Sequence, residues 1–365
     1  MEKVKEPKKE IITRPIVKVG ISIGDINGIS PEVIMKALSD NRLLLDCTPI
    51  IYASSKVFSF HKKQIQFGDF NYNACSSVEG IKENKVNVIN IWENELNFEL
   101  GKATEEGGKY AFESLEKATQ DLASGKIDVL VTAPINKDAM GKSGFQFPGH
   151  TEYLADMSGQ DEALMLMVAD SLRVGLVTSH IPIKEVSASI TLDKVYGKIV
   201  AFNNSLKKDF GISRPKIAVL GLNPHAGENG KMGAEESESI HPAIEKAKGE
   251  GILAFGSYPA DGFFGSEARL KFDGVLSMYH DQGLSAFKAL SFDEGVNFTA
   301  GLPIVRTSPD HGTAYDIVGM NKASGASMRN AIYMAIDTYR NHVQEKEASA
   351  NYLEISPRKE YRNER

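Results

Sequence analysis

Cysteine is scarce in this 365-residue chain, with Cys47 and Cys75 the two present. They form no C-x-x-C pair, which excludes a disulfide framework and a cysteine-based zinc site and points to reduced thiols in a cytoplasmic setting. A basic excess is also lacking, since 42 Lys and Arg face 48 Asp and Glu for a formal net charge of -6. That balance leaves no electrostatic footprint for nucleic acid or an anionic membrane, so a small-molecule partner is expected. No run approaches the ~20 apolar residues of a membrane span. The segment MEKVKEPKKEIITRP is charged where a signal peptide needs an apolar core, which again suits cytoplasmic residence.

Three common fingerprints are missing as well. GISIGDINGIS does not fit G-x-G-x-x-G, and GENGKMG, residues 227–233, lacks the Walker spacing and its Lys-Ser/Thr ending. Its glycines read instead as a sharp turn or a close backbone approach to a ligand. No G-x-S-x-G elbow occurs, which sets aside acyl transfer by a serine nucleophile.

What the chain does contain is ordinary globular material, 42% hydrophobic and 25% charged, long enough for two domains. β-Branched runs alternate with helical stretches, as in IVKVGISIG then PEVIMKAL, or VNVINIW then GGKYAFESLEKATQDLAS. This alternation predicts an α/β class with much parallel sheet. The second helix carries Ala111, Leu115, Ala118 and Leu122 on one face, with Glu113, Lys117 and Asp121 on others. Ser30, Pro31 and Glu32 read as the N-cap and first turn of the helix after GISIGDING, a mouth able to hold an anion or cofactor or simply a plain βα turn. Glycine and proline in residues 141–149 suggest one domain boundary, and the chain is expected to cross back near residues 281–300. Residues 1–15 and those from Gln344 onward are charge-dense and read as solvated tails.

Three histidines each stand behind a strand-like run: His180 after VGLVTS, His225 after IAVLGLNP and His280 after GVLSMY. Strand ends are where open α/β sheets build sites, and neutral imidazole is the commonest ligand of catalytic divalent metals. The sharp reading is a metal site gathered from distant loops, and the plain one is three unconnected loop histidines. Beyond His280, a glycine-rich stretch holds Asp281, Lys288, Asn297, Arg306, Asp310, His311 and Asp316. Its cations suit a phosphate or carboxylate, although a charged surface loop would look similar. His150 and Thr151 precede a short helix in FPGHTEYLAD, where Thr151 reads equally well as a cap.

GDINGISPE, VTAPINK, FPGHTEYLAD, LVTSHIPI, GLNPHAGENGKMGAEE, YPADGFF, MYHDQG and NFTAGLPIVRTSPDHGTAYDIVG occur in that order over residues 16–340. Together they resemble the 4-hydroxythreonine-4-phosphate dehydrogenase family of pyridoxal phosphate (vitamin B6) biosynthesis. The resemblance implies a two-domain α/β/α sandwich of the isocitrate and isopropylmalate dehydrogenase type, with its active site in the interdomain cleft. On that pattern residues 16–145 plus 290–343 form the first domain, residues 146–289 the second, and residues 1–15 and 344–365 the tails. It also implies a homodimer whose metal ligands come from both subunits.

Carried onto this chain, the family's metal ligands are His180, His225 and His280, and its substrate contacts are His150, Thr151, Lys288, Asn297 and Arg306. Asp261 matches a further site position. HGTAYDI resembles the adenosine loop of related dehydrogenases, which places NAD or NADP near Asp310, His311 and Gly312, with Asp25 a further cofactor candidate. The implied reaction oxidises the C3 hydroxyl of 4-phosphooxy-L-threonine, and the product decarboxylates to 3-amino-2-oxopropyl phosphate. Lys288, His150 and a metal-bound water are the candidate bases, and zinc, cobalt, manganese or magnesium the candidate metals. Two other readings are a paralogue acting on 4-phospho-D-threonate or 4-phospho-D-erythronate, and a catalytically silent metabolite-binding homologue. The chain departs from the family at Ile26, Asn27 and Ser30, in the loop expected near the cofactor, and at Ser285, Ala286 and Phe287, ahead of Lys288.

Overall fold

β-Branched and aliphatic runs become strands here because each is short and bounded by turn residues, and those inside the sheet are buried on both faces while the edge strands are not. The computed structural model describes residues 15–68, 70–159, 163–291 and 293–350. The expected N-terminal tail therefore lies outside the described residues except for Pro15, as do residues 351–365 of the C-terminal one. The strands are β1 Val17–Ser22, β2 Cys47–Ala53, β3 Asn73–Cys75, β4 Asn87–Asn90, β5 Val129–Thr132 and β6 Leu164–Ala169. They continue with β7 Leu172–Leu176, β8 Lys216–Leu220, β9 Leu253–Tyr258, β10 Gly274–Ser277, β11 Val296–Ala300 and β12 Arg306–Pro309.

All twelve lie in one mixed sheet, ordered β3-β4-β2-β1-β5-β12-β11-β6-β7-β10-β8-β9. β3, β4, β2, β1, β5 and β12 run parallel, and so do β7, β10, β8 and β9. Between these blocks β11 pairs antiparallel with both β12 and β6, and β6 with β7. The α/β expectation holds, with antiparallel pairing confined to the middle of the sheet.

The two faces are covered differently at that middle. Val129 and Val131 of β5 face a core shared with Met328, Ala331, Ile332, Ala335 and Ile336 of the helix Ala326–Ala350, which packs across β1, β5, β12 and β11. On the opposite face Leu130 joins Leu115, Tyr153 and Leu154, while Met167 joins Leu284 and Phe287 of the helix His280–Leu290. Those two apolar clusters are separate. The uncovered ground between them is where a pocket can form.

Local readings of the sequence fare unevenly. Ala111, Leu115, Ala118 and Leu122 are buried on the helix Glu105–Ala123, which Thr104 caps by accepting the Gly107 N–H. Asp121 is buried on that helix too, accepting from Tyr52 Oη at 3.0 Å and Lys117 Nζ at 3.2 Å. Ser30 is not a cap: its helix, Ser30–Leu38, starts behind Ile29 without a side-chain cap, and Ser30 Oγ donates to the Pro134 carbonyl at 2.9 Å. The final helix runs on to Ala350, exposed from Gln344 onward. No helix among the described residues is long and apolar enough to cross a membrane.

Buried His61, on the helix Ser55–Gln64, donates from Nε2 to the Ile26 carbonyl at 2.7 Å, and its Nδ1 has no partner among the described residues. Burial pushes its pKa down to about 4. An unfolded histidine titrates near ~6.5, so the unfolded chain binds the extra proton first and stability falls as pH drops from about 6.5 towards 4. The expected loss is ~3 kcal/mol across that window. Urea unfolding at several pH values should show a His61→Gln variant without this part of the slope; an unchanged slope would assign it elsewhere.

Candidate active site

Strand register builds the floor of the pocket. Thr299 pairs with Met165 and Asn297 with Ser308, and alternation adds Arg306 of β12 and Thr132 of β5 to the same face. Above this floor lies a cavity of about 210 Å³ lined by His150, Thr151, His180, Asn297, Arg306, His311 and Gly312 among the expected site residues. Thr132, Lys137, Glu152 and Ser308 line it too and were assigned no role from sequence. VTAPINK was the available signal: Thr132 ends β5, and Lys137 opens the helix Lys137–Lys142 behind Asn136, whose side chain accepts the Ala139 N–H. Thr151 does not cap its helix, His150–Met157, which starts behind Gly149 without a side-chain cap.

Arg306 dominates the electrostatics. It is 3% exposed, and its hydrogen-bond partners are Thr132 Oγ1 at 2.6 and 3.1 Å, Thr299 Oγ1 at 3.1 Å and His150 Nδ1 at 3.1 Å. None of these is a carboxylate. Burial pulls its pKa down to about 10, with the nearby Glu152 carboxylate opposing. A guanidinium does not lose its proton at neutral pH, so a buried positive charge with Glu152 nearby, but no carboxylate bonded to it among the described residues, faces the pocket.

Because Arg306 donates to Nδ1, the neutral imidazole of His150 carries its proton on Nε2. Burial first, then the Arg306 and Lys137 charges, hold its pKa well below the usual histidine range. Its Nε2 is buried without a partner among the described residues, as are Asn297 Oδ1 and His311 Nε2. His311 Nδ1 donates to the Gly312 carbonyl at 3.1 Å, which leaves Nε2 the acceptor. Each such orphan costs ~1–3 kcal/mol unless a ligand or water satisfies it. Besides the Lys137 and Glu152 charges on its wall, the pocket thus offers one buried cation, one donor and two acceptors.

The three strand-end histidines leave adjacent parallel strands in the order β7, β10, β8. His180 and His280 meet, with ring centroids 5.9 Å apart. Burial of its inner side and then the Lys137 ammonium lower the His180 pKa, keeping that imidazole neutral. His280 donates from Nδ1 to Asp281 Oδ1 at 2.6 Å, which leaves Nε2 as the ring nitrogen that a metal would take. His225 stands exposed on a turn in which residues 225–229 all have positive φ. Four of those five are not glycine, at a cost on the order of 1 kcal/mol each. Within one chain no group of three His, Cys, Asp or Glu converges as a metal site among the described residues.

Other expected residues lie outside the cavity. Lys288 Nζ forms an ion pair with Asp310 Oδ1 at 3.3 Å, next to His311 on the pocket wall. Burial raises the Asp310 pKa, and Lys288 opposes that rise. Asp25 is buried behind the wall, where its N–H donates to the Pro134 carbonyl and its carboxylate accepts from Asn27 N–H and Tyr315 Oη. Burial raises the Asp25 pKa against those two bonds. Asp261 is exposed beyond the edge strand β9. The departures at Ile26, Asn27 and Ser30 are all buried, and Asn27 ties its loop to Thr104 at 2.9 Å and to the Glu99 N–H at 2.8 Å. Their side chains serve packing and loop bonding rather than an open cofactor surface.

The fold is that of an α/β enzyme with a pocket at the strand ends, and the relatives it matches are dehydrogenases. A solved 4-hydroxythreonine-4-phosphate dehydrogenase from Klebsiella pneumoniae matches with a TM-score of 0.78 and 31% identity, over 89% of this chain and 98% of that one. The family model described as pyridoxal phosphate biosynthetic protein PdxA matches residues 45–335, and the chain belongs to that family. A relative from Bacteroides thetaiotaomicron named 4-hydroxythreonine-4-phosphate dehydrogenase is 47% identical over 350 residues, 96% of this chain and 95% of that protein. Another, from Oceanobacillus iheyensis and provisionally named D-threonate 4-phosphate dehydrogenase, is 38% identical over 328 residues, 89% of this chain and 98% of its own.

Proposed function

We propose that the protein oxidises 4-phosphooxy-L-threonine at its C3 hydroxyl with NAD or NADP. The product, 2-amino-3-oxo-4-(phosphooxy)butanoate, then loses carbon dioxide to give 3-amino-2-oxopropyl phosphate. The observation that carries this reading is the buried, carboxylate-free Arg306 on the pocket floor, which calls for an anionic ligand. Arg306 binds one anionic end of the substrate, and Lys288, released from Asp310, supplies a second cation. His150 Nε2–H and the Thr151 hydroxyl donate to substrate oxygens. With Nδ1 committed to Arg306 and Nε2 protonated, neutral His150 has no lone pair to act as a base, which leaves Lys288 or a bound water for proton removal.

His180 and His280 fit a divalent metal as imidazole donors whose rings lie together, that of His280 oriented by Asp281, and His225 of the partner subunit completes the set in a homodimer. Imidazole donors favour zinc, cobalt or manganese over magnesium. When bound, the metal supplies Lewis acidity towards the alcohol oxygen and later the ketone, while the nicotinamide cofactor accepts hydride. His311 and Gly312 form the cofactor side of the pocket, with Asp310 beside them and Asp25 behind. Asp261, on the short helix behind β9, matches a further site position of the family.

A second reading, favoured by the name of the Oceanobacillus relative, is oxidation of 4-phospho-D-threonate or 4-phospho-D-erythronate. The same cations would hold either substrate. Reduced-cofactor formation should be followed with both substrate types, with and without a chelator. Turnover on 4-phosphooxy-L-threonine that the chelator abolishes is expected; turnover on the phosphorylated aldonates alone would transfer the assignment to the second reading.

A further inference from the structure

Behind exposed His225 sits a buried carboxylate that the pocket does not use. Glu236 is 3% exposed. Its Oε1 accepts the Asn223 backbone N–H at 2.8 Å, and its Oε2 accepts Asn223 Nδ2 at 3.0 Å. The same Nδ2 donates to Glu235 Oε2 at 2.8 Å, and Ser187 Oγ donates to the other Glu235 oxygen. Glu236 forms no ion pair among the described residues, so its burial is costly unless these bonds serve something.

What they serve is the turn that carries His225. A Cβ on Gly227 would stand 2.5 Å from Glu236 Oε2, so the left-handed turn is packed directly onto the carboxylate. On the other side, Gln282 Nε2 donates to the Gly221 carbonyl at 2.7 Å while its Oε1 accepts the Met278 N–H at 2.7 Å. Thr178 donates from N–H and Oγ1 to the Met278 carbonyl, at 3.1 and 2.7 Å. Thr178, Asn223 and Gln282 each stand two residues from a histidine of the set, and their bonds knit the ends of β7, β10 and β8 together.

We propose that Glu236, acting through Asn223, is a positioning residue that fixes the direction in which His225 is presented, and that Gln282 sets its loop against that of His280. This rests on the metal reading above. A rotated His225 would miss a site shared with a second subunit, so metal affinity should register the loss of the clasp before folding does.

The test is cobalt titration of the chelator-treated full-length dimer, read by visible absorption, alongside metal-free melting. Glu236→Gln replaces an acceptor facing Asn223 Nδ2 by a donor and is expected to weaken cobalt binding about 10–100-fold. Its metal-free melting temperature and its KM for NAD should stay near wild type. Asn223→Ala should act in the same direction and decides the matter if Glu236→Gln does not fold. Wild-type affinity in both variants, with His225→Ala losing cobalt, overturns the positioning role and leaves the metal reading standing. Cobalt binding by His225→Ala equal to wild type overturns both.

Discussion

Arg306→Met is expected to lower kcat/KM on the phosphorylated substrate by about 10³-fold, the ~4 kcal/mol typical of removing one partner from a buried charge pair. The physical basis is the asymmetry of the site. In the free protein this guanidinium is buried against two threonine hydroxyls and one imidazole, with no carboxylate among them. Its desolvation is therefore offset only in part until an anion arrives. The same variant should lose little melting temperature, because relief of a partly compensated buried charge is set against the unpairing of Thr132 Oγ1, Thr299 Oγ1 and His150 Nδ1. Arg306→Lys should not restore activity: one ammonium cannot span Thr132, Thr299 and His150 together as the planar fork does. Steady-state kinetics and thermal melting check both halves, and activity within tenfold of wild type would remove Arg306 from the substrate site.

Mixing two inactive variants should regenerate activity. His180→Ala and His225→Ala are each expected to lose turnover by at least a hundredfold, since each lacks a ligand at every site. Refolded or exchanged together in equal amounts, half the dimers pair one of each. Each mixed dimer then owns one site with His180 and His280 from one subunit and His225 from the other, so the mixture should recover about a quarter of wild-type activity. The expectation follows from the His180 and His280 ring centroids lying 5.9 Å apart while His225 stands exposed on the turn behind the neighbouring strand β8. No recovery in verified mixed dimers would mean that the three ligands, if they act together, do so within one chain.

The order of strands and helices was legible because β-branched runs and 3.6-residue periodicity are local properties. So was the family, carried by motifs whose wording survives from GDINGISPE to HGTAYDIVG. Caps were misread at Ser30 and left open at Thr151 for one reason: a hydroxyl before a helix can bond inward to the backbone or outward to a distant partner, and local sequence looks the same either way. Lys137 and Glu152 were missed although both lie in quoted motifs, since lining a cavity depends on how β5 and the His150–Met157 helix are brought together.

By itself the sequence determined the α/β class, the three strand-end histidines and the cation-bearing segment around Arg306, all of which depend on residue type and spacing along the chain. Tertiary structure alone decided that the two parallel blocks are joined through antiparallel β11 and β6, leaving one face of the sheet uncovered at its centre. It alone placed β7, β10 and β8 side by side, so that two of the histidines meet and the third turns away. The physical reason is that contacts across a sheet join residues far apart in sequence, and their selection rests on packing and burial summed over the whole molecule rather than on any local preference.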